Sequence, residues 1–421
     1  MTASEQLAQF AAGSKALPKL CREYKKERAT VHLKELVGGA LSFYAAAAVA
    51  KTGGVHIFVA EDRDAAAYLL NDFYNLLDEK QVYFFPSSYK RSAAYGAEDA
   101  QGVVQRTTAM NAVRGFTKGY LVVCTYPEAL AERVVDAATL QRDTIAVKLG
   151  DKISIAVLED ALADANFTRV DFVYEPGQYS VRGGIVDVFS YSESKPYRID
   201  FFGDEVDSIR RFNISSQLSA DKLDRVEIVP NLNAGEAPRV SFVQFAGSSA
   251  TCWFYDADYV LRRVNDLRRK VLADMEEPGQ IDRLLTSRNV LLRDMAGNSV
   301  VALRDNLPER PATAAVVFDT APQPKFNKNF EMLADDMIRN SLRGYATYIL
   351  SENKVQVERL ENIFHQIGRG QAAVRSLSVT LHEGFVDNDL KLCLYTDHQI
   401  FDRYQRYRIN GEIRRDEQMT V

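Results

Sequence analysis

Residues 167–212, FTRVDFVYEPGQYSVRGGIVDVFSYSESKPYRIDFFGDEVDSIRRF, decide how the middle of this chain folds. Within them, apolar and polar residues alternate in runs that are typical of strands with one buried face. These runs are 169–174, 181–189, 197–202 and 206–212. Turn-forming residues, such as Pro176-Gly177 and Gly203-Asp204, separate the runs. Because Ser154 can also cap a helix just before them, we predict an antiparallel sheet with one helix beside it, a small α+β domain.

The region before this domain has a different pattern. Residues 55–59 and 121–124 are short, continuously apolar runs, as in strands that are buried on both faces. The residues between such runs predict helices, and Asp62 is placed to cap one of them. Strands that alternate with helices are joined by right-handed crossovers within a parallel sheet. We therefore predict an α/β domain with a parallel sheet over this region.

The predicted domain organisation follows from where these patterns change. The first half of the α/β domain is expected in residues 1–126, and the α+β domain in 127–232. Residues 233–311 are expected to complete the first domain, and residues 240–303 within them look mostly helical. The helix and strand alternation returns in 312–407, which predicts a third, small α/β domain. The polar and charged residues 408–421 are predicted to be a linker.

The composition predicts a globular protein and gives no sign of a nucleic-acid-binding or membrane protein. The chain has 421 residues, a formal net charge of -5 and 46% hydrophobic residues, as in a soluble globular protein. No basic surplus points to a nucleic-acid surface, although local clusters stay possible. Its four cysteines form no Cys-x-x-Cys pair, so we predict buried, reduced thiols. Neither a signal peptide nor an apolar stretch long enough for a membrane is visible, and we expect a cytoplasmic protein without membrane contact.

The sequence gives no positive case for catalysis. A phosphate-binding loop of the form GxxxxGK[ST] does not occur. Gly38-Gly39 precedes a predicted helix, but Ala40 follows and no lysine stands where a phosphate would need one. The histidines show no metal-ligand spacing, and His56, inside an apolar strand, is predicted to be a core or edge histidine with its hydrogen bonds satisfied. We therefore predict no catalytic residue, no metal ligand and no cofactor-binding residue in this chain.

Several segments of residues 167–212 carry a family resemblance. They are Arg169-x-Asp171, Pro176-Gly177-Gln178-Tyr179, Val181-Arg182-Gly183-Gly184, Asp187-Val188-Phe189, Pro196 to Phe202 and Asp204 to Arg210. In this pattern the chain resembles the second domain of UvrB and of the bacterial transcription-repair coupling factors. The resemblance implies a degenerate helicase-like parallel-sheet domain with an inserted α+β UvrB-type domain 2, followed by a small third α/β domain.

In these families the second domain is the docking surface for UvrA, the damage-recognition ATPase of nucleotide excision repair. The resemblance implies partner contacts at Arg169, Arg182 and Phe189. Val170 and Phe172 are expected to face the core, which would leave Arg169 exposed. Two alternatives stay open: Phe189 can instead be a core residue, and Arg198 with Asp200 can be a cross-strand pair on the solvated face.

The chain resembles the coupling factors more than UvrB. The phosphate loop is missing, and the segment after Pro86 is too short for the long hairpin that UvrB inserts into DNA. It implies a non-catalytic amino-terminal region that recruits UvrA to stalled RNA polymerase. It also implies that motor-domain contacts, RNA polymerase and DNA binding, ATP and Mg²⁺ involve regions outside this chain. The alternatives are a UvrB-type nucleotide-dependent enzyme that binds damaged DNA, and a purely structural scaffold.

Overall fold

The computed structural model describes residues 1–89, 98–233, 237–275, 277–405 and 407–409. Its α-helices within these residues are α1 (Ala3–Ala12), α2 (Ala16–Tyr24), α3 (Ala40–Thr52), α4 (Arg63–Leu76), α5 (Ala100–Gly115), α6 (Pro127–Ala131), α7 (Ala137–Arg142), α8 (Ile155–Asp164), α9 (Phe242–Ala246), α10 (Ala257–Asp274), α11 (Ile281–Leu284), α12 (Arg288–Asp294), α13 (Phe330–Leu342), α14 (Lys354–Gln366) and α15 (Asp397–Ile400).

The strands of the same residues are β1 (Thr30–Lys34), β2 (Gly54–Val59), β3 (Val82–Phe84), β4 (Tyr120–Thr125), β5 (Val134–Val135), β6 (Ile145–Lys148), β7 (Thr168–Arg169), β8 (Gln178–Arg182), β9 (Ile185–Val188), β10 (Tyr197–Phe202), β11 (Glu205–Phe212), β12 (Ser219–Leu223), β13 (Arg225–Ile228), β14 (Arg239–Val240), β15 (Thr251–Phe254), β16 (Ser299–Ala302), β17 (Ala314–Val317), β18 (Thr320–Pro322), β19 (Ala346–Leu350), β20 (Ser376–Leu377), β21 (Phe385–Asp387) and β22 (Leu392–Thr396).

The first domain is built on a seven-stranded sheet in the order β17-β1-β16-β15-β2-β4-β3. Every paired neighbour in this sheet runs parallel, so the predicted parallel α/β domain is confirmed. Two of its central strands, β15 and β16, come from the region predicted to be mostly helical. These strands are only four residues long, too short for a reliable alternation signal.

Local sequence signals place the helices as predicted. The Asp62 side chain accepts a hydrogen bond from the Ala65 backbone at 2.8 Å and begins α4. The Ser154 side chain caps α8 in the same way, through the Val157 backbone. Both caps satisfy amide groups that have no partner inside the helix.

The inserted domain is a six-stranded sheet in the order β12-β11-β10-β9-β8-β7, with α8 against its apolar face. Its core begins at Ile145, whereas Val134 and Leu140 belong to the core of the first domain. The predicted start at residue 127 is therefore too early. The run 181–189, predicted as one strand, is instead the antiparallel hairpin β8–β9, because Gly183 has a φ of +61° and turns the chain. The predicted strand 169–174 is shorter as well: it covers Thr168–Arg169, and its last hydrogen bond to β8 comes from the Val170 amide.

The third domain contains a five-stranded sheet in the order β18-β21-β22-β19-β20 and the helices α13 and α14. The strand β17, predicted to open this domain, instead pairs with β1 at the edge of the first sheet. The boundary predicted at residue 312 is therefore wrong by one strand. Pairing over such a sequence distance leaves no local signal. The predicted linker 408–421 lies outside the described residues, apart from 408 and 409.

The four cysteines and His56 lie in the interior of the protein. All four cysteines are buried and free of disulfides. His56 is buried, and its Nδ1 accepts a hydrogen bond from Trp253 Nε1 at 3.1 Å. Burial lowers the pKa of His56 to about 4, and of the two predicted places, core or edge, the structure has the core. Along the described ranges, no helix combines the length and the apolar character needed to cross a bilayer.

Candidate partner-binding surface

The sheet of the inserted domain has one apolar face and one charged face. Strand alternation turns residues such as Tyr179, Val186 and Ile199 toward the core under α8. The register places residues on the opposite side in rows across β8 to β11. We call this side the polar face; it comprises Ser180, Arg182, Ile185, Asp187, Arg198, Asp200, Ser208 and Arg210.

A carboxylate shared by two arginines organises the polar face. Asp187 is 2% exposed, and it accepts hydrogen bonds from Arg198 Nε at 2.7 Å and Arg198 Nη2 at 2.9 Å. Its Oδ2 also accepts a hydrogen bond from Arg182 Nη2 at 2.5 Å. These hydrogen bonds to Asp187 raise the pKa of Arg198, so its guanidinium stays charged. Arg182 is thereby held at one end, while its side chain is 35% exposed.

The alternative that paired Arg198 with Asp200 is wrong in detail. Both side chains lie on the polar face, but the partner of Arg198 is Asp187 on the neighbouring strand. Asp200 instead accepts hydrogen bonds from Ser208 and Arg210 of β11. Lys222 stands opposite Arg210 on β12. The polar face therefore carries three arginines and two carboxylates, and Lys222 beside it adds a fourth cation, which makes a local basic excess in an acidic chain.

Two exposed aromatic residues, one of them in contact with Arg182, lie near the β8–β9 hairpin. The Arg182 guanidinium lies over the Phe172 ring, 4.7 Å from its centroid. Phe172 is 48% exposed, so the prediction that it faces the core is wrong; the strand ends before it, and the alternation ends with the strand. Phe202 is 84% exposed at the end of β10. We call Phe172, Arg182 and Phe202 the aromatic–arginine patch.

The sequence contained a signal for Phe202 that the prediction missed. Phe201 and Phe202 are consecutive in a strand, so their side chains must leave on opposite faces. Phe201 packs against the core, and its amide donates to the Gly184 carbonyl at 2.8 Å. Phe202 is therefore directed away from the core, beside the β8–β9 turn.

Arg169 is exposed, but not on the polar face. It pairs in register with Tyr179, whose side chain faces the core side of the sheet. Its Nη1 lies 2.6 Å from Glu159 Oε1 of α8, and its side chain is 59% exposed. Arg169 and Arg182, named together from the sequence, thus project from opposite sides of the sheet.

Phe189 is completely buried, with 0% exposure. Its backbone amide donates to the Gln178 carbonyl at 2.9 Å, which continues the β8–β9 pairing. A side chain without accessible surface cannot contact a partner in this structure. The predicted partner contact at Phe189 is corrected to the alternative of a core residue.

In the ranges that the structure describes, no three His, Cys, Asp or Glu side chains come together as a metal site. Asp72 of the first domain is buried, and burial raises its pKa to about 7. Its carboxyl group accepts hydrogen bonds from Ser42 Oγ and from the His382 backbone amide.

Residues 145–233 match the family described as the UvrB interaction domain. The match coincides with the inserted domain, including the polar face. Among curated proteins, the chain is 27% identical over 199 residues to the transcription-repair-coupling factors of Bacillus subtilis and Escherichia coli, 47% of this chain. It is 35% identical over 101 residues, 24% of this chain, to the transcription-repair-coupling factor of Haemophilus influenzae.

The family match and the sheet topology together define a class of protein: an α/β protein that carries a UvrB interaction domain as an insertion. By sequence, the chain is related to the bacterial transcription-repair-coupling factors. The matched region spans 17% of the length of the Bacillus and Escherichia relatives and 9% of the Haemophilus relative.

Proposed function

We propose that this chain binds UvrA through the polar face of its UvrB interaction domain. In doing so it recruits the damage-recognition ATPase to sites of stalled transcription, as a non-catalytic part of transcription-coupled repair. Contacts with RNA polymerase and DNA, and the use of ATP and Mg²⁺, are assigned to regions outside this chain. The motor domain, whose contacts with this chain the resemblance implies, is assigned to those regions as well.

The aromatic–arginine patch is the observation that carries the proposal. Arginine and aromatic side chains dominate the binding energy of protein interfaces. Arg182 is already held by Asp187 and by the Phe172 ring, so little conformational entropy is lost when a partner binds. The basic excess of the polar face favours an acidic patch on the partner.

Arg169 stays a predicted UvrA contact, but it projects from the opposite side of the sheet to Arg182. Because it projects from the other side of the sheet, a partner touching both arginines must wrap around the edge strand β7. A partner that docks flat on the polar face would leave Arg169 untouched. The proposal places the main energy at Arg182.

The test is a titration of UvrA into the intact chain, with ATP hydrolysis measured on the chain alone. We expect specific binding and no hydrolysis. Arg182→Ala is expected to weaken binding by about 2 kcal/mol, as for a central anchor. The variant should fold, because Arg198 still neutralises Asp187. Arg225→Ala, an exposed arginine on β13 outside the polar face, is the matched control. Unchanged UvrA affinity in a folded Arg182→Ala variant would overturn the proposed surface.

Hydrolysis of ATP by the chain alone would instead favour the alternative of a UvrB-type enzyme. One geometric obstacle opposes that alternative. A backbone carbonyl of the third domain lies against Gly39, at the start of α3, where a nucleotide phosphate would sit.

A further inference from the structure

The loop of residues 380–384 in the third domain lies against the start of α3 in the first domain. Gly39 is the N-cap of α3 and follows β1 by a short loop. In parallel α/β domains this position, at the carboxyl edge of the sheet, is where phosphates bind. A Cβ atom added to Gly39 would lie 2.1 Å from the Glu383 carbonyl oxygen. The loop backbone therefore lies directly against Gly39, where a phosphate would sit.

Side chains of α4 hold the loop in place. The buried Asp72 accepts a hydrogen bond from the His382 backbone amide at 2.6 Å and another from Ser42 Oγ at 2.6 Å. Asn75 Nδ2 donates to the Thr380 carbonyl at 2.9 Å. The Tyr68 ring stacks on the His382 ring with centroids 3.7 Å apart. A buried carboxylate and an aromatic residue of the first domain are thus committed to the third domain.

The contact around this loop is a continuous core and not a loose docking. Leu381 and Phe385 belong to the same buried cluster as Phe43 of α3, and the rings of Phe43 and Phe385 lie 5.3 Å apart. Tyr44 Oη donates to Asp387 Oδ2 at 2.5 Å. Interfaces of this apolar, well-packed kind are typical of permanent contacts.

The space left beside the loop is unsuited to a triphosphate. It is a cavity of about 300 Å³ at the carboxyl edge of the sheet, with Tyr68 and Trp253 in its walls. Its lining includes three carboxyl groups, those of Glu61, Asp72 and Glu383. Among the described residues that line it there is no lysine or arginine. A nucleotide phosphate would meet negative charge here without a compensating cation.

We propose that the loop 380–384 is an internal ligand of the first domain. The Glu383 carbonyl takes the place of a phosphate, and the third domain holds the helicase-like domain in one arrangement that does not respond to nucleotide. This assigns the third domain a role, that of a permanent occupant of the former nucleotide site, independent of the proposed UvrA surface.

The test is hydrogen exchange on the intact chain with a glycine pair as probe and control. Gly39 has φ -64° and ψ -6°, a helical conformation that alanine adopts freely. In Gly39→Ala only the collision with Glu383 is new. The control Gly115→Ala, at the end of α5, meets no atom within 4 Å. We expect amides of 380–385 to exchange about tenfold faster or more in Gly39→Ala, and at the parent rate in Gly115→Ala.

A milder variant keeps the test decisive if Gly39→Ala does not fold. Asn75→Ala removes only the hydrogen bond to Thr380 and is expected to accelerate exchange of the same amides to a smaller degree. Unchanged exchange of 380–385 in whichever of these variants folds overturns the proposal.

A second arm adds ATP with Mg²⁺, or pyrophosphate, to the parent chain at millimolar concentration. No change in exchange at residues 38–42 is expected. Protection of these residues, or release of the loop 380–384 by either compound, would show a working nucleotide site and overturn the proposal. Loss of UvrA binding would leave this result unaffected, so the two proposals fail separately.

Discussion

Asp187 lies directly opposite Arg198 on the neighbouring strand, and both oxygens of its nearly buried carboxylate accept hydrogen bonds from that guanidinium. Arg182 contacts the same carboxylate from the other side, with more than twice the exposure of Arg198, 35% against 14%. The two arginines therefore share one anion and have different tasks. Arg198 balances the buried charge, and Arg182 offers its free edge to solvent.

This division predicts different effects on stability. Arg198→Ala leaves Asp187 with one partly exposed partner, and is expected to destabilise the domain by about 3 kcal/mol. Arg182→Ala leaves the bidentate pair intact and is expected to cost about 1 kcal/mol. Hydrogen exchange in urea, read at the amides of residues 178–212 in both variants, measures the difference. Equal losses in the two variants would contradict the assignment.

Phe202 gives a prediction on binding alone. Its ring is 84% exposed, so Phe202→Ala should leave the free energy of unfolding unchanged. Its UvrA affinity should fall by about 1–2 kcal/mol, as for an aromatic anchor at an interface.

Arg169→Ala tests the opposite side of the sheet from Phe202→Ala. If UvrA docks flat on the polar face, this variant binds like the parent chain, since Arg169 projects from the other side. Calorimetric titration of both variants against UvrA separates flat docking from wrapping. A parent-like Phe202→Ala together with a weakened Arg169→Ala would move the interface to the α8 side.

Sequence reasoning succeeded where the deciding forces are local. The caps at Asp62 and Ser154 and the apolar run of β2 depend on neighbours within a few residues, and they were predicted correctly. Partner strands are a different matter. The place of β17 beside β1 is set by pairing across almost the whole first domain.

In the candidate site, too, features set by neighbouring residues could be predicted and features set by strand pairing could not. That Arg182 is exposed could be predicted, because two glycines follow it in a turn. That Arg169 stands on the other side depends on the parallel register of β7 with β8, which no local pattern encodes. The burial of Phe189 and the exposure of Phe172 depend in the same way on where β7 and β9 end.

Gly177 predicts a steric cost in the turn before β8. It has a φ of +86°, and an added Cβ would lie 2.7 Å from the Tyr191 hydroxyl oxygen. Gly183 also has positive φ, +61°, but no atom lies within 4 Å of its added Cβ. Both alanine variants suffer backbone strain of about 1 kcal/mol, and Gly177→Ala should cost about 1 kcal/mol more through the collision. Thermal unfolding compares them, and identical midpoints would contradict the expectation.

Asp72 predicts how stability depends on pH. Burial raises its folded-state pKa from 3.8 to about 7, so the folded state binds a proton more readily than the unfolded state. Its contribution is therefore fully present below about pH 4 and is lost as the pH rises to 7, by up to about 1.4 kcal/mol per pH unit. Asp72→Asn keeps an acceptor for the His382 amide and removes the titration, so its advantage over the parent should grow across this window and level off above pH 7. Urea unfolding from pH 4 to 8 measures it, with the exposed Asp204→Asn as control. A constant offset between Asp72→Asn and the parent would show that Asp72 is ionised throughout.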